Sequence, residues 1–341
     1  MRLFFILLFI PFLLVSAEIE KIIENMSLDE KIGQLFMAPL CPKRDVLHFD
    51  DINYLIKNYH IGSFIVKQSD PKSQIDALNY FQNLSELPLL ISADAEWGLG
   101  MRMDNTISYP KNIYLSKIKE DEILYELGDE IARQLKLVGV HINLAPVVDV
   151  NDDIKTPSIG MRTFGSDVIN ISNKAKKVAL GMEDNNVLSC MKHFPGYSDI
   201  LVDPHLDLPS NDHDLNRLKS VDFIPYQNLI KEGVSCIMTA HIMLPKLDSV
   251  PATMSKFIIQ DLLRGYLNFK GLIITDALNM KALTNLYSIE EIAINAHIAG
   301  NDILLYGDHI NPNIDDIINN QIPRAFRAIK KDYLDKKKDR K

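Results

Sequence analysis

The chain has 341 residues, 47% hydrophobic and 24% charged, a composition typical of a soluble globular protein with a large core. That length accommodates two ordinary domains, or one large domain of the barrel type, which commonly runs to roughly 250 residues or more. A net charge of −8 argues against nucleic acid as a main partner, because phosphate binding needs clustered Lys and Arg.

At the N-terminus, Arg2 precedes an apolar run from Leu3 to Val15, interrupted by Pro11 and closed by Ser16-Ala17. A positive start, a short apolar stretch and a small-residue Val15-x-Ala17 site predict a secretory signal peptide over residues 1–17. The run is short for a membrane span. The expectation is an exported protein, periplasmic or secreted, with no stable membrane span after cleavage. Retention as an uncleaved anchor is the lesser alternative.

Eight short apolar runs follow, at residues 32–40, 61–67, 87–95, 141–150, 187–194, 235–244, 271–277 and 302–306. Most are near-continuous in Ile, Val, Leu and Ala, which suits parallel strands covered on both faces. Helical patterns occupy 74–84, 120–138, 168–183, 214–231, 255–267, 288–299 and 314–334. In the first of these, Ile75, Leu78 and Phe81 recur at helical spacing. Ser255 and Ser288 read as N-caps, and Gly233 and Gly300 as helix ends. The alternation predicts an α/β fold, a (β/α)₈ TIM-type barrel forming a single catalytic domain over 18–341. An open doubly wound sheet shares the alternation, but no Gly-rich phosphate loop follows the first run. The basic end, Lys336-Lys337-Lys338 with Arg340 and Lys341, reads as a solvated helix terminus.

The three cysteines, Cys41, Cys190 and Cys236, cannot all pair, and the last two sit in strand-like runs as buried free thiols. No Cys/His spacing resembles a zinc site.

In a barrel of this kind, chemistry gathers at the C-terminal ends of the strands. There the third run ends in Asp94-Ala95-Glu96, the fourth in Asp149 and the fifth in Lys192-His193; the sixth carries His241 and the seventh ends in Asp276. A carboxylate closing the apolar Leu272-Ile273-Ile274-Thr275 suits a nucleophile toward an electron-poor carbon, and equally a helix N-cap or a buried ion pair. In Asp203-Pro204-His205, residues two apart in an extended segment share a side, so the carboxylate can orient the imidazole. A His so held can donate and recover a proton. Alone, such a D-x-H is a weak signal, and an ordinary loop His explains it as well. Asp94, Arg102, Arg162, Lys192 and His193 suit the hydroxyls of a neutral sugar, or else internal salt bridges and barrel-mouth packing. Trp97 is either a stacking ring or a loop anchor.

Lys192-His193-Phe194-Pro195-Gly196, followed by Asp203-x-His205 and Leu208-Pro209, resembles the signature of glycoside hydrolase family 3, nearest its bacterial β-N-acetylglucosaminidase branch. Asn143-Leu144-Ala145-Pro146-Val147-Val148-Asp149-Val150, Gly160-Met161-Arg162-Thr163-Phe164-Gly165, Met238-Thr239-Ala240-His241 and Asp276-Ala277-Leu278-x-Met280 continue the likeness in family order. The resemblance implies a retaining glycosidase with Asp276 as nucleophile and His205 as acid/base partnered by Asp203. It implies that Asp94, Arg102, Arg162, Lys192 and His193 bind the terminal sugar. The implied substrate is a terminal β-linked N-acetylglucosamine, as in peptidoglycan fragments, and neither metal nor cofactor is implied. Tyr197-Ser198 stands where the family has His-Gly, and Pro204 where it has Ser. A family 3 β-glucosidase, a phosphorylase using phosphate as acceptor, and a non-catalytic muropeptide-binding barrel are the alternatives. Oligomeric state is not encoded in any of these motifs.

Overall fold

The computed structural model describes residues 18–151, 153–156, 158–307 and 312–339; the predicted signal segment, Arg340 and Lys341 lie outside them. The eight apolar runs fold as β1 (Phe36–Leu40), β2 (Ser63–Val66), β3 (Leu90–Ala93), β4 (Ile142–Asn143), β5 (Leu188–Phe194), β6 (Cys236–Thr239), β7 (Leu272–Thr275) and β8 (Leu304–Leu305). All pairings are parallel, in the order β7-β6-β5-β4-β3-β2-β1-β8. A parallel bridge from Ile274 to Ile303 joins the two ends, so the sheet closes as a barrel. The predicted (β/α)₈ architecture is therefore present.

Burial explains why the strands lack alternation. Met37, Ile65, Ile142, Cys190, Cys236 and Ile274 fill the barrel interior. Their strand neighbours Phe36, Phe64, Ile91, Met191, Ile237 and Ile273 pack outward beneath the helices. A strand buried on both faces has no polar side to display. The described cysteines are all unpaired, and Cys190 and Cys236 are buried in register across β5 and β6. Burial pushes the Cys190 thiol up to about 12, so it behaves as a small apolar side chain.

The outer ring contains α1 (Val46–Tyr59), α2 (Pro71–Leu84), α3 (Glu122–Leu137), α4 (Val168–Asp184), α5 (Phe223–Lys231), the π-wound α6 (Phe257–Tyr266), α7 (Ile289–Ala299) and α8 (Ile322–Asp339). α1 has no counterpart among the predicted helices, because Asp50, Asp51, Asn53 and Asn58 dilute the stripe that buries Ile52, Leu55 and Ile56. The first apolar run also begins too early. Ile32 and Gly33 belong to a short helix, Leu28–Gly33, whose Ser27–Glu30 capping box outweighs their strand character. In α2, Ile75 points outward at 37% exposure while Gln74, Ala77, Leu78 and Phe81 are buried. The predicted caps at Ser255 and Ser288 hold: Ile258 N–H donates to Ser255 Oγ at 3.1 Å, and Ser288 forms a capping box with Glu291. α3 and α4 meet through reciprocal glycines. A Cβ on Gly128 would lie 2.2 Å from Val178 O, and one on Gly181 2.2 Å from Tyr125 O, so only glycine permits this approach. Among the described residues no helix is long and apolar enough to cross a membrane.

Candidate active site

The loops leaving the C-terminal ends of the strands enclose a cavity of about 270 Å³. Asp94, Arg102, Arg162, Lys192, His193, Asp203, His205 and Asp276 all line it, so every predicted site residue meets the others in one place. Its apolar floor includes Ile65, Leu144, Met238 and Leu305.

One wall is an ion ladder. Arg102 Nη2 donates to Asp94 Oδ2 at 3.1 Å, and Lys192 Nζ donates to Asp94 Oδ1 at 3.1 Å. Lys192 also reaches Glu96 Oε1 at 2.9 Å, and Glu96 receives Arg162 Nη2 at 2.6 Å and Nε at 2.9 Å. Asp94 and Glu96, two apart past the end of β3, point together because Asn143 clamps the residue between them. Ala95 N–H donates to Asn143 Oδ1 at 3.0 Å, and Asn143 Nδ2 donates back to Ala95 O at 3.1 Å. Burial works against the Glu96 charge, yet Arg162 and Lys192 hold its carboxyl at about 2. Burial likewise works against Lys192, and Glu96 with Asp94 outweighs it, so the ammonium stays above its ordinary value. The two readings of Arg102 and Arg162 are thus both realised: each is ion-paired and each faces the cavity. Glu96, which carries no assigned role in the sequence, is the centre of the ladder; its signal was a charge closing an apolar strand.

Lys192 and His193 are consecutive, and alternation would send them to opposite faces. Both line the cavity at the point where the Lys192–His193 peptide bond is cis and the β5–β6 register shifts between Met191 and Phe194. Asp149, at the end of the fourth run, orients His193. Its Oδ2 accepts from His193 Nδ1 at 2.8 Å, and its Oδ1 accepts the N–H groups of His193 at 3.2 Å and Tyr197 at 2.9 Å. An ionised carboxylate only accepts, so the His193 proton sits on Nδ1.

The opposite wall is a loop. Asp203 Oδ1 accepts from His205 Nδ1 at 2.7 Å and from the His205 N–H at 2.9 Å. The pair forms in a turn, not in the extended segment expected from the sequence: the N–H groups of Leu206 and Asp207 both donate to Asp203 O. Pro204 supplies the fixed φ of the turn and the Asp side chain caps it. Ala282 N–H donates to Pro204 O at 3.2 Å, docking this loop beside the segment that follows β7.

Asp276 follows β7 and opens partly into the cavity. Its N–H donates to Thr239 O at 3.0 Å, and its Oδ1 accepts from Ala277 N–H at 2.8 Å. Burial opposes its ionisation, but His241, His193 and His205 hold its carboxyl below the usual aspartate value. It caps no helix, and no salt bridge to Lys or Arg occupies it among the described residues. Trp97 lines the cavity, with Lys111 Nζ 4.9 Å from its ring centroid. Among the described residues no cluster of His, Cys, Asp and Glu is suited to a metal ion.

An ionised aspartate, an Asp–His pair and a ladder of hydrogen-bonding charges at the mouth of a closed parallel barrel define a TIM-barrel protein with a compact, charged cavity. Residues 27–326 match the glycosyl hydrolase family 3 N terminal domain, and the chain belongs to that family. It is similar to beta-hexosaminidase A of Pseudoalteromonas piscicida, 31% identical over 290 residues, 75% of this chain and 47% of the relative. A glycoside hydrolase family 3 beta-N-acetylglucosaminidase from a Paenibacillus strain superposes with a TM-score of 0.81 at 30% identity, over 89% of this chain and 58% of that one. The beta-glucoside phosphorylase BglX superposes at 0.80 with 26% identity, over 92% and 59%. The chain thus spans about half the length of the first relative and under two thirds of these two structures.

Proposed function

We propose that the chain is an exo-acting retaining glycoside hydrolase that removes terminal β-linked N-acetylglucosamine, with peptidoglycan fragments as the natural source. The observation that carries this reading is the convergence of Asp276 and the Asp203–His205 pair on one small cavity. Similarity to a beta-hexosaminidase and to a beta-N-acetylglucosaminidase supports the choice of sugar. The ladder residues Asp94, Arg102, Arg162 and Lys192, with His193, bind the hydroxyls of the terminal residue. A cavity of about 270 Å³ is at the small end for ligand sites, which suits a single terminal sugar.

In the first step an Asp276 oxygen bonds to the anomeric carbon as the glycosidic C–O bond breaks, and His205 passes its proton to the departing oxygen. In the second, His205 takes a proton from water, whose oxygen attacks the anomeric carbon and releases Asp276. Retaining glycosidases usually pair two carboxylates; here an imidazole oriented by Asp203 does the proton transfer. We also propose export, on the signal-like residues 1–17.

The test is a panel of nitrophenyl glucoside, N-acetylglucosaminide and N-acetylgalactosaminide, each with and without phosphate. Release from the N-acetylglucosaminide, abolished by Asp276→Asn, is the expected result. Preference for the glucoside overturns the sugar assignment. The similarity to a phosphorylase supports a second reading, with phosphate as acceptor. N-acetylglucosamine 1-phosphate as the main product establishes that reading and excludes hydrolysis.

A further inference from the structure

His241 lies within the sixth apolar run, two residues past the end of β6, and neither wall of the cavity uses it. Its side chain is fully buried and crosses from the end of β6 to the turn after β7. Nε2 lies 3.0 Å from Ala277 O. A carbonyl only accepts, so Nε2 carries a proton and donates it. Nδ1 lies 2.8 Å from Thr253 Oγ1, and the His241 N–H donates to the Tyr197 hydroxyl at 2.8 Å. Thr253 is tied down in turn, since its carbonyl accepts from Asn301 Nδ2 at 2.9 Å. Tyr197 is fixed from the other side by its N–H on Asp149 and by its ring, 5.0 Å from that of His193. The imidazole is therefore a strut with both ends anchored.

The strut bears on the segment that presents Asp276. Ala277 N–H donates to Asp276 Oδ1 at 2.8 Å, while Ala277 C=O accepts from His241. One residue thus holds the carboxylate with its donor and is held by its acceptor. In-line attack leaves little tolerance: a displacement of about 1 Å at a reacting atom can cost about 10²-fold in rate.

We propose that His241 is a positioning residue for Asp276, acting through the Ala277 carbonyl to keep the carboxylate aimed into the cavity. The inference rests on Asp276 being the nucleophile. A core-filling His would also be buried and bonded to some acceptor; what points to positioning is that this carbonyl belongs to the residue whose N–H holds the Asp276 carboxylate. Tyr197, where the family has His, belongs to the same unit as the anchor of the His241 backbone.

The test compares His241→Gln, whose amide can still donate to Ala277 O, with the apolar His241→Met. The readouts are kcat and KM on nitrophenyl N-acetyl-β-glucosaminide, calorimetric affinity for N-acetylglucosamine, and the Ala277 amide resonance. The Met variant is expected to lose about 10²-fold in kcat, with sugar affinity within about threefold and a displaced Ala277 amide; the Gln variant recovers about tenfold. Equal loss of kcat and sugar affinity in both variants, or an unchanged kcat in the Met variant, overturns the role. Should the Met variant fail to fold, Tyr197→Phe keeps the ring and removes the acceptor of the His241 N–H. It is expected to lower kcat about tenfold at constant KM, and an unchanged kcat there counts against the proposal. If the wild type does not turn over the sugar, the nucleophile reading fails, and the Ala277 amide still decides the strut: an unmoved resonance in His241→Met overturns it.

Discussion

The two walls of the cavity are built on different principles. On the β3–β5 side, Glu96 and Lys192 have side chains 1% and 3% exposed, and each carboxylate of the ladder serves two cations. On the other side Asp203 is 23% exposed, its bonds to His205 are local, and the loop carries Leu201 at 89% and Leu206 at 57% exposure. The first wall is part of the core and draws its order from residues far apart in the chain. The second is a turn whose own hydrogen bonds are local and which docks on the segment after β7 through Pro204 O and Leu206 O. Groups that hold a sugar benefit from rigidity, whereas an acid/base must serve a departing group and then a water. The difference implies that damage to the ladder is felt as lost stability and binding, and damage to the loop as lost rate.

The largest expected effect lies between the walls. On the proposed mechanism Asp276→Asn should lower kcat by about 10⁴-fold or more, since the other carboxylates of the cavity are already engaged, Asp94 and Glu96 by cations and Asp203 by His205. Sugar affinity measured by calorimetry should persist; residual turnover within a factor of ten of wild type would disqualify Asp276. Next, His205→Ala should cost about 10²–10⁴-fold in kcat. The His205 side chain is 11% exposed and its bonds to Asp203 are local, so stability should fall by only about 1 kcal/mol, well short of the ladder. A large fall in urea stability for that variant would erase the contrast between the walls.

Glu96→Gln should show the opposite pattern. Removing the shared anion leaves Arg162 without its ion-pair partner, with only the Ser158 carbonyl to donate to, and Lys192 with Asp94 alone, at a cost of about 3–5 kcal/mol in urea unfolding. A cost below about 1 kcal/mol would show the ladder to be ornamental. The pH dependence sharpens this further. The Glu96 carboxyl is held at about 2, well below its ordinary value of 4.5, so its ionisation favours the folded state. That contribution, on the order of 3 kcal/mol, is complete above the unfolded value and is lost as pH falls from about 4.5 through about 2. The stability gap between wild type and Glu96→Gln should therefore narrow across that window, and a pH-independent gap contradicts the ion-pair account. The smallest effect belongs to Pro204→Ser. Loss of a fixed φ in a turn should cost about 0.4–1 kcal/mol through the unfolded chain. A cost of several kcal/mol would mean that the loop is as deeply built in as the ladder.

Much of this was legible in the residues. Continuous apolar runs announced strands covered on both faces, and charges closing those runs marked the mouth of the barrel at Asp94, Glu96, Asp149, Lys192, His193 and Asp276. α1 escaped because polar residues thin its stripe, and Ile75 was assigned to the wrong face because one apolar residue on a helix does not declare its direction. The roles of Glu96, Asp149 and His241 were also out of reach, since their partners lie 66, 44 and 36 positions away.

The sequence by itself determined the alternation of strand and helix, the caps at Ser255 and Ser288, and the chemistry available at each strand end, because these depend on near neighbours. Only the tertiary structure decided which charges pair, why Lys192 and His193 face the same way, and that a turn makes the Asp203–His205 pair. Barrel closure brings residues from different strands within hydrogen-bonding distance, and the β5–β6 register shift depends on a strand 40 residues or more away. Such distances are set by the closed sheet and its side-chain packing, which no local pattern records.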